Sequence, residues 1–388
     1  MVALFSILAL LRIAFGKLLS RLNVDTSNRC IIQVESKLTR IGTAASISLV
    51  LLVAAGVYVR PALHCHGQGA AYAKLAEDPF DSTSPNPVGY RRLTPTISYV
   101  LGLRGRGIIV TNVLFAWLLL SLMYLYFRAV FPQPVDAFLG TAVIGSSLVV
   151  LTTLYYGGYC DALTYIMVLG MWRWRANPVR ASLCLALGLL NHESTLFAIP
   201  WLVAMSWLEQ RAPKQKMLLI GGIVAVITGF VAYRLWLGRM MPAVFTVGYY
   251  MQPLLDNPVL WIRQAFLNWW LGFFTVFKLN WAVVFCAALM ARKAGERRVV
   301  PAIALIVSSA GAQLLIAYDT SRMLTLAFPA MLPALEYCFK ENCCGMRGKL
   351  GWIVVINLAV PQLYTASYAV ELMVSPLSLF LSKVMMQF

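Results

Sequence analysis

Charge is scarce in this sequence, and negative charge scarcest. Asp, Glu, Lys and Arg make up 12% of the 388 residues, with 15 acidic residues and three histidines in all. An ordinary soluble domain carries about 25% charged residues. Set against 60% apolar residues and a mean hydropathy of +0.74, this leaves a water-soluble fold too little polar surface to cover itself. The composition therefore predicts an integral membrane protein and leaves no polar stretch long enough for a separate soluble domain. The eight cysteines do not pair by spacing into a disulfide or zinc framework. Met1–Leu22 has no basic start, and Arg12 interrupts its apolar stretch, so it reads poorly as a signal peptide and better as an interfacial amphipathic helix.

What is abundant is positive charge, a formal +17. The excess does not point to nucleic acid, because its placement follows the positive-inside rule. Apolar runs predict spans near 42–59, 107–130, 135–156, 159–172, 217–237, 272–291, 298–317, 323–339 and 350–369, with a broken pair near 181–191 and 194–208. Basic residues fall in alternate connections. Lys17, Arg21, Arg29, Lys37 and Arg40 come before the first span, Arg173, Arg175 and Arg180 after the fourth, and Arg211, Lys214 and Lys216 before 217. Arg292, Lys293, Arg297 and Arg298 follow, then Lys340, Arg347 and Lys349. The expected fold is all-α: one polytopic helical bundle over 1–388 with about ten or eleven spans. Its N-terminal segment 1–40 is cytoplasmic or interfacial, a long outer loop 60–106 carries short interfacial helices, and 181–208 forms a re-entrant or short helical hairpin. The stretch 256–271, with Trp261, Trp269 and Trp270, reads as an interfacial helix, and 371–388 is left unassigned.

This orientation collects the unexplained polar residues on one face. Loop 60–106, Tyr155–Asp161, Asn191-His192-Glu193, loop 238–261 and Asp319–Arg322 all lie outside, with all three histidines. Ionisable groups at membrane depth are costly, so such a gathering marks a candidate site. Arg91 and Arg92 oppose the charge bias; a phosphate ligand explains them, and so does snorkelling to lipid headgroups. Asp78 and Asp81 lie on the outer loop as candidate general bases or cation ligands, or as ordinary turn residues. Glu193 and His192 interrupt an apolar hairpin too short for two straight spans. Asp161 opens a span, and Asp319 and Arg322, three apart, can pair with each other. His64, His66 and His192 with a nearby carboxylate form a weak zinc pattern.

At these residues the chain resembles the C-type membrane glycosyltransferases (GT-C superfamily). The likeness lies in the long outer loop with Tyr72-x-x-x-Ala76 and Arg91-x-Leu93-x-Pro95, Asp161 at a span start, a short hairpin tipped by His192-Glu193, and a late Asp319-x-x-Arg322. It covers roughly residues 40–335 and is one of layout. One departure stands out: many members place an acid just before the loop-helix Tyr, where this chain has His66-Gly67-Gln68-Gly69. The resemblance implies transfer of a sugar from a polyprenyl-phosphate donor to a glycan, lipid or protein acceptor on the periplasmic side of a bacterial inner membrane, or the lumenal side of the endoplasmic reticulum. Arg91, Arg92, Tyr72, His192, Asp319 and Arg322 would contact substrate, and the base would be Asp78 or Asp81, then Glu193, then Asp161. No cofactor is demanded, and a divalent metal is left open. A lipid-substrate transporter or flippase and a non-catalytic membrane assembly subunit are the rival readings; a transporter should show paired broken helices in its two halves.

Overall fold

The computed structural model describes residues 37–59, 61–63, 68–84, 87–240, 256–265, 267–315, 317, 319–341, 345–366 and 369–373. The expected N-terminal interfacial helix, His64, Cys65, His66, Cys343, Cys344, most of loop 238–261 and most of the unassigned C-terminal stretch lie outside the described residues. The chain divides into two compact units, Met1–Thr43 and Ala44–Phe388.

Among the described residues the fold is helical apart from one short hairpin. In chain order the helices are α1 (Lys37–Tyr58), α2 (Gln68–Glu77), α3 (Leu93–Val100), α4 (Ile108–Val130), α5 (Pro134–Gly145), α6 (Leu148–Tyr155), α7 (Asp161–Arg173), α8 (Pro178–Asn191) and α9 (Ile199–Leu208). They continue as α10 (Pro213–Met240), α11 (Pro258–Ala265), α12 (Trp269–Phe277), α13 (Asn280–Lys293), α14 (Val299–Ala312), α15 (Thr320–Leu324), α16 (Met331–Lys340) and α17 (Met346–Ala359). Local signals set the boundaries. Prolines open α5 and α8 at the first turn, where a missing N–H costs nothing, and Asn177 caps α8 by accepting from Arg180 N–H at 3.1 Å.

Among the described residues, three helices are long and apolar enough to cross a membrane, Leu38–Tyr58, Gly105–Val130 and Pro213–Met240. The count becomes five if each of two bent pairs is one span: α5 with α6, bent by 52°, and α12 with α13, bent by 88°. At the first bend Ser147 is extended and caps α6; at the second Lys278 takes a left-handed φ of 47°, which turns the chain sharply. The Lys278 ammonium is buried there and donates to the Asn357 and Val360 carbonyls, at 2.8 and 3.1 Å, and to Gln362 Oε1. A cation thereby closes the C-terminus of α17.

Against the ten or eleven spans expected, three helices, or five with the bent pairs, meet that length and composition among the described residues, and further elements differ in outline. The run 350–369 is not one helix: α17 stops at Ala359, because Val360 precedes Pro361 and is extended. The chain then forms an antiparallel hairpin, β1 (Leu363–Thr365) and β2 (Val370–Leu372), with Tyr364 opposite Glu371. The expected 256–271 helix is α11 alone, and Trp269 and Trp270 open α12 instead.

Candidate functional site

Four helix ends converge on one buried polar cluster. Its frame is Asn191, the last residue of α8. Asn191 Nδ2 donates to the Cys160 carbonyl and Thr164 Oγ1, at 2.6 and 2.9 Å, and its Oδ1 accepts from Thr94 N–H and Oγ1 at 3.2 and 2.7 Å. One amide thus joins the outer-loop helix α3, the start of α7 and the broken hairpin. His192 then leaves the helix in extended geometry (φ −159°, ψ 126°), and Glu193–Ala198 forms a 3-10 turn before α9.

Two arginines organise the charges. Arg91, buried, chelates Glu193 through Nε (2.9 Å to Oε2) and Nη2, and its Nη1 donates to the Tyr72 hydroxyl at 2.9 Å. Tyr72 comes from α2, packs on Tyr159 and lies 3.5 Å from Cys160 Sγ. Arg322 is buried as well: Nε donates to Asp161 Oδ2 at 2.7 Å and Nη1 to Asp319 Oδ2 at 2.6 Å, and the guanidinium lies 4.5 Å from the Tyr159 ring centre. Asp161 sits in the first turn of α7, where the helix dipole favours its charge. Asp319 also accepts from the Tyr364 hydroxyl of the hairpin.

His192 stands between the two halves. Its Nδ1 lies 3.1 Å from Ser194 N and 2.7 Å from Ser194 Oγ, and its Nε2 lies 3.3 Å from Arg322 Nη2. An arginine and a backbone N–H only donate, and a neutral imidazole has one acceptor nitrogen. The tautomer therefore decides whether the ring holds Arg322 or caps the turn at Ser194. Counting two arginines against Asp161, Glu193 and Asp319, the cluster carries one formal negative charge in excess. The cavity beneath it, lined in part by Ser194, Phe197, Trp201 and Gln313, has a volume of about 10 Å³. That is room for about one water.

Of the residues singled out in the sequence, Tyr72, Arg91, Asp161, His192, Glu193, Asp319 and Arg322 therefore belong to one hydrogen-bonded network. Asp78, Asp81 and Arg92 have other partners and stand apart from that network. Asp78 is exposed and accepts from Phe80 N–H at 2.9 Å, an ordinary turn. Asp81 accepts from Thr83 N–H and Oγ1 and from Ser84 Oγ, with Lys74 Nζ at 3.3 Å. Desolvation works against its charge, yet these donors hold the carboxyl down at about 2; burial works against the charge of Glu193 too, yet Arg91 holds it well below the usual carboxylate range, so neither is a strong proton acceptor while its partners stay in place. Arg92 donates to the carbonyls of Gly89 (2.7 Å), Asp81 (3.1 Å) and Pro79, so it staples its own loop. Arg91 and Arg92 are both buried, which removes snorkelling as their reason.

No group of three or more His, Cys, Asp or Glu residues able to hold a metal ion occurs among the described residues. The cluster's carboxylates are already matched to guanidinium groups, a donor set that does not fit a divalent cation, and His64 and His66 lie outside the described residues. Asn191, Tyr159 and Tyr364 were not foreseen as part of the site. Asn191 stood in the quoted motif, and Pro361 before Leu-Tyr-Thr was a legible signal for the hairpin that delivers Tyr364. No family model, curated protein or solved structure matches the chain.

Proposed function

We propose that this chain is a polytopic membrane glycosyltransferase of the GT-C type, which moves a sugar from a polyprenyl-phosphate donor to a hydroxyl acceptor at the outer face of the bilayer. The observation that carries the reading is the buried network of Arg91, Glu193, His192, Arg322, Asp161 and Asp319 at the junction of the outer loop with the broken hairpin. Buried arginines paired with carboxylates can exchange one anion for another, and a phosphate matches a guanidinium as well as a carboxylate does. When the donor phosphate takes Arg91, Glu193 loses its partner and is free to accept a proton.

The reaction then balances without a cofactor. The acceptor oxygen attacks the anomeric carbon and its proton passes to Glu193. The bond from that carbon to the phosphate oxygen breaks, and the electron pair leaves on the phosphate, where arginine stabilises the charge. Asp161 and Asp319 hold Arg322 in place, and Tyr72 and Tyr364 fix the two ion pairs from either side.

The membrane reading is supported by which segments touch. Arg91–Glu193 and Arg322–Asp161 join segments expected outside, and Arg175–Glu209 and Arg347–Asp136 join segments expected inside. A transporter is favoured by one observation of its own, the two bent helix pairs in different halves of the chain. Sealed vesicles containing the purified protein, polyprenyl-phosphate sugar labelled in the sugar and a mixed glycan and lipid acceptor pool separate the two. A transferase converts label to a new product; a transporter moves unaltered label across the bilayer, and that outcome would discard the transferase reading.

A further inference from the structure

The buried network explains how an anion could be held but not how it is met first. Arg91 and Arg322 are both committed to carboxylates in the resting state, so neither meets an approaching phosphate without first giving up a partner. One neighbouring cation is uncommitted. Arg234, on α10, makes no hydrogen bond or ion pair among the described residues. Its guanidinium instead lies 4.1 Å from the centre of the Tyr90 ring and 5.5 Å from that of Phe230. Tyr90 directly precedes Arg91, and it packs with Leu237 and Tyr233 in a small apolar cluster that docks the outer loop on the last turns of α10. Arg234 also lies near enough to act electrostatically on Glu193 and His192.

Position makes this arginine costly. Six residues, about 9 Å of helix, separate Arg234 from Met240 at the end of an apolar helix that exposes Val231, Leu235 and Trp236. A charged group so placed requires a compensating partner, and the aromatic face supplies only part of it. Stacking also fixes the guanidinium plane, and its N–H edge meets no acceptor among the described residues.

We infer that Arg234, held on the Tyr90 ring, is the entry contact for the phosphate monoester of a long-chain lipid at the seam between α10 and the outer loop, one step outside the Arg91–Glu193 pair. The inference rests on the proposed function for the identity of the ligand, and it adds a residue and an order of events. The phosphate binds Arg234 first and is then passed to Arg91.

The test uses the full chain in phosphatidylcholine nanodiscs and measures binding of labelled geranylgeranyl phosphate, with geranylgeraniol, inorganic phosphate and phosphatidylglycerol as comparison ligands. Wild type should bind geranylgeranyl phosphate in preference to the alcohol. Arg234→Gln should weaken the phosphate by about tenfold or more, the scale of one charge-assisted contact, and leave the alcohol unchanged. Arg234→Lys should retain part of the affinity, and Tyr90→Leu, which removes the ring and keeps the charge, should lose part. These two variants carry the test if Arg234→Gln fails to fold. Equal phosphate binding by wild type and Arg234→Gln, parallel loss of phosphate and alcohol, or competition by phosphatidylglycerol or inorganic phosphate as effective as by geranylgeranyl phosphate overturns the assignment. Selective loss in Arg234→Gln with no sugar transfer by wild type would retain this inference and discard the transferase reading. Sugar transfer by wild type with binding unaltered in Arg234→Gln would do the reverse.

Discussion

Replacing Arg91 and Glu193 singly and together by methionine separates the stability of their pair from its use. Arg91 is 7% exposed in its side chain and Glu193 25%. Removing one partner of a fully buried pair costs about 3–5 kcal/mol, because the other charge is stranded. Water reaches Glu193 through its exposed quarter and softens that cost, and Arg91 keeps the Tyr72 hydroxyl, so each single variant should lose about 2 kcal/mol. The double variant replaces two charges with two apolar chains of similar length, which is often neutral, so it should lie within about 1 kcal/mol of wild type. The coupling is then about 3–4 kcal/mol, at or just above the top of the usual range for contacting residues. Tryptophan fluorescence during thermal unfolding in one detergent reads the cycle, with a single variant melting a few degrees lower and the double near wild type. Single variants within about 0.5 kcal/mol of wild type, or a double equal to the sum of the singles, would refute the buried-pair reasoning. A stable double variant that no longer binds the phosphorylated lipid would assign the pair to function.

Other consequences follow from the same contacts. Arg92→Ala strands the carbonyls of Gly89, Pro79 and Asp81 and should cost about 1–3 kcal/mol, read as faster proteolysis within 78–92 with donor affinity per folded molecule unchanged. The carboxyl of Asp81 is held below its ordinary 3.8 at about 2, so its contribution is present above pH 4 and lost as pH falls through 2. Asp81→Asn should flatten the acid limb of the stability curve across that window. A Cβ on Gly158 would lie 2.9 Å from Gly69 Cα and 2.8 Å from Leu63 Cδ2, so Gly158→Ala must push α2 and Tyr72 away from Tyr159. It should lower the melting temperature by an amount equivalent to about 1–3 kcal/mol.

The helical class was legible because apolar runs and loop charges are strong signals that need no partner. The hairpin break at His192 and the gathering of Arg91, Glu193, Asp161 and Arg322 on one face were read from the cost of charge in an apolar setting, and the structure brings that group together. The Asp319–Arg322 pair was legible from its spacing of three, but what most other side chains touch was not. Arg91 and Arg92 are neighbours of identical chemistry, yet one meets a carboxylate from 102 residues away and the other three carbonyls of its own loop. Asp78 and Asp81 have the same formula as Asp161, and only the turn geometry around them shows that their oxygens are already used. The bends at 146–147 and at Lys278 escaped notice because neither a Ser-Ser pair nor a lysine with positive φ interrupts hydropathy enough to end a span. Arg234 carries no comparable signal in the sequence, since its stacking on Tyr90 is visible only once its neighbours are known.

The central claim is that Glu193 takes the acceptor's proton within the arginine-paired network. The most direct measurement is the single-turnover rate of sugar transfer by the full chain in vesicles, for wild type, Glu193→Gln and Asp78→Asn, with donor saturating. Glu193→Gln should be slower by about 10²–10⁴, the usual cost of a lost base, while Asp78→Asn retains the wild-type rate. A Glu193→Gln rate within about twofold of wild type, or a comparable loss in Asp78→Asn, would contradict the account.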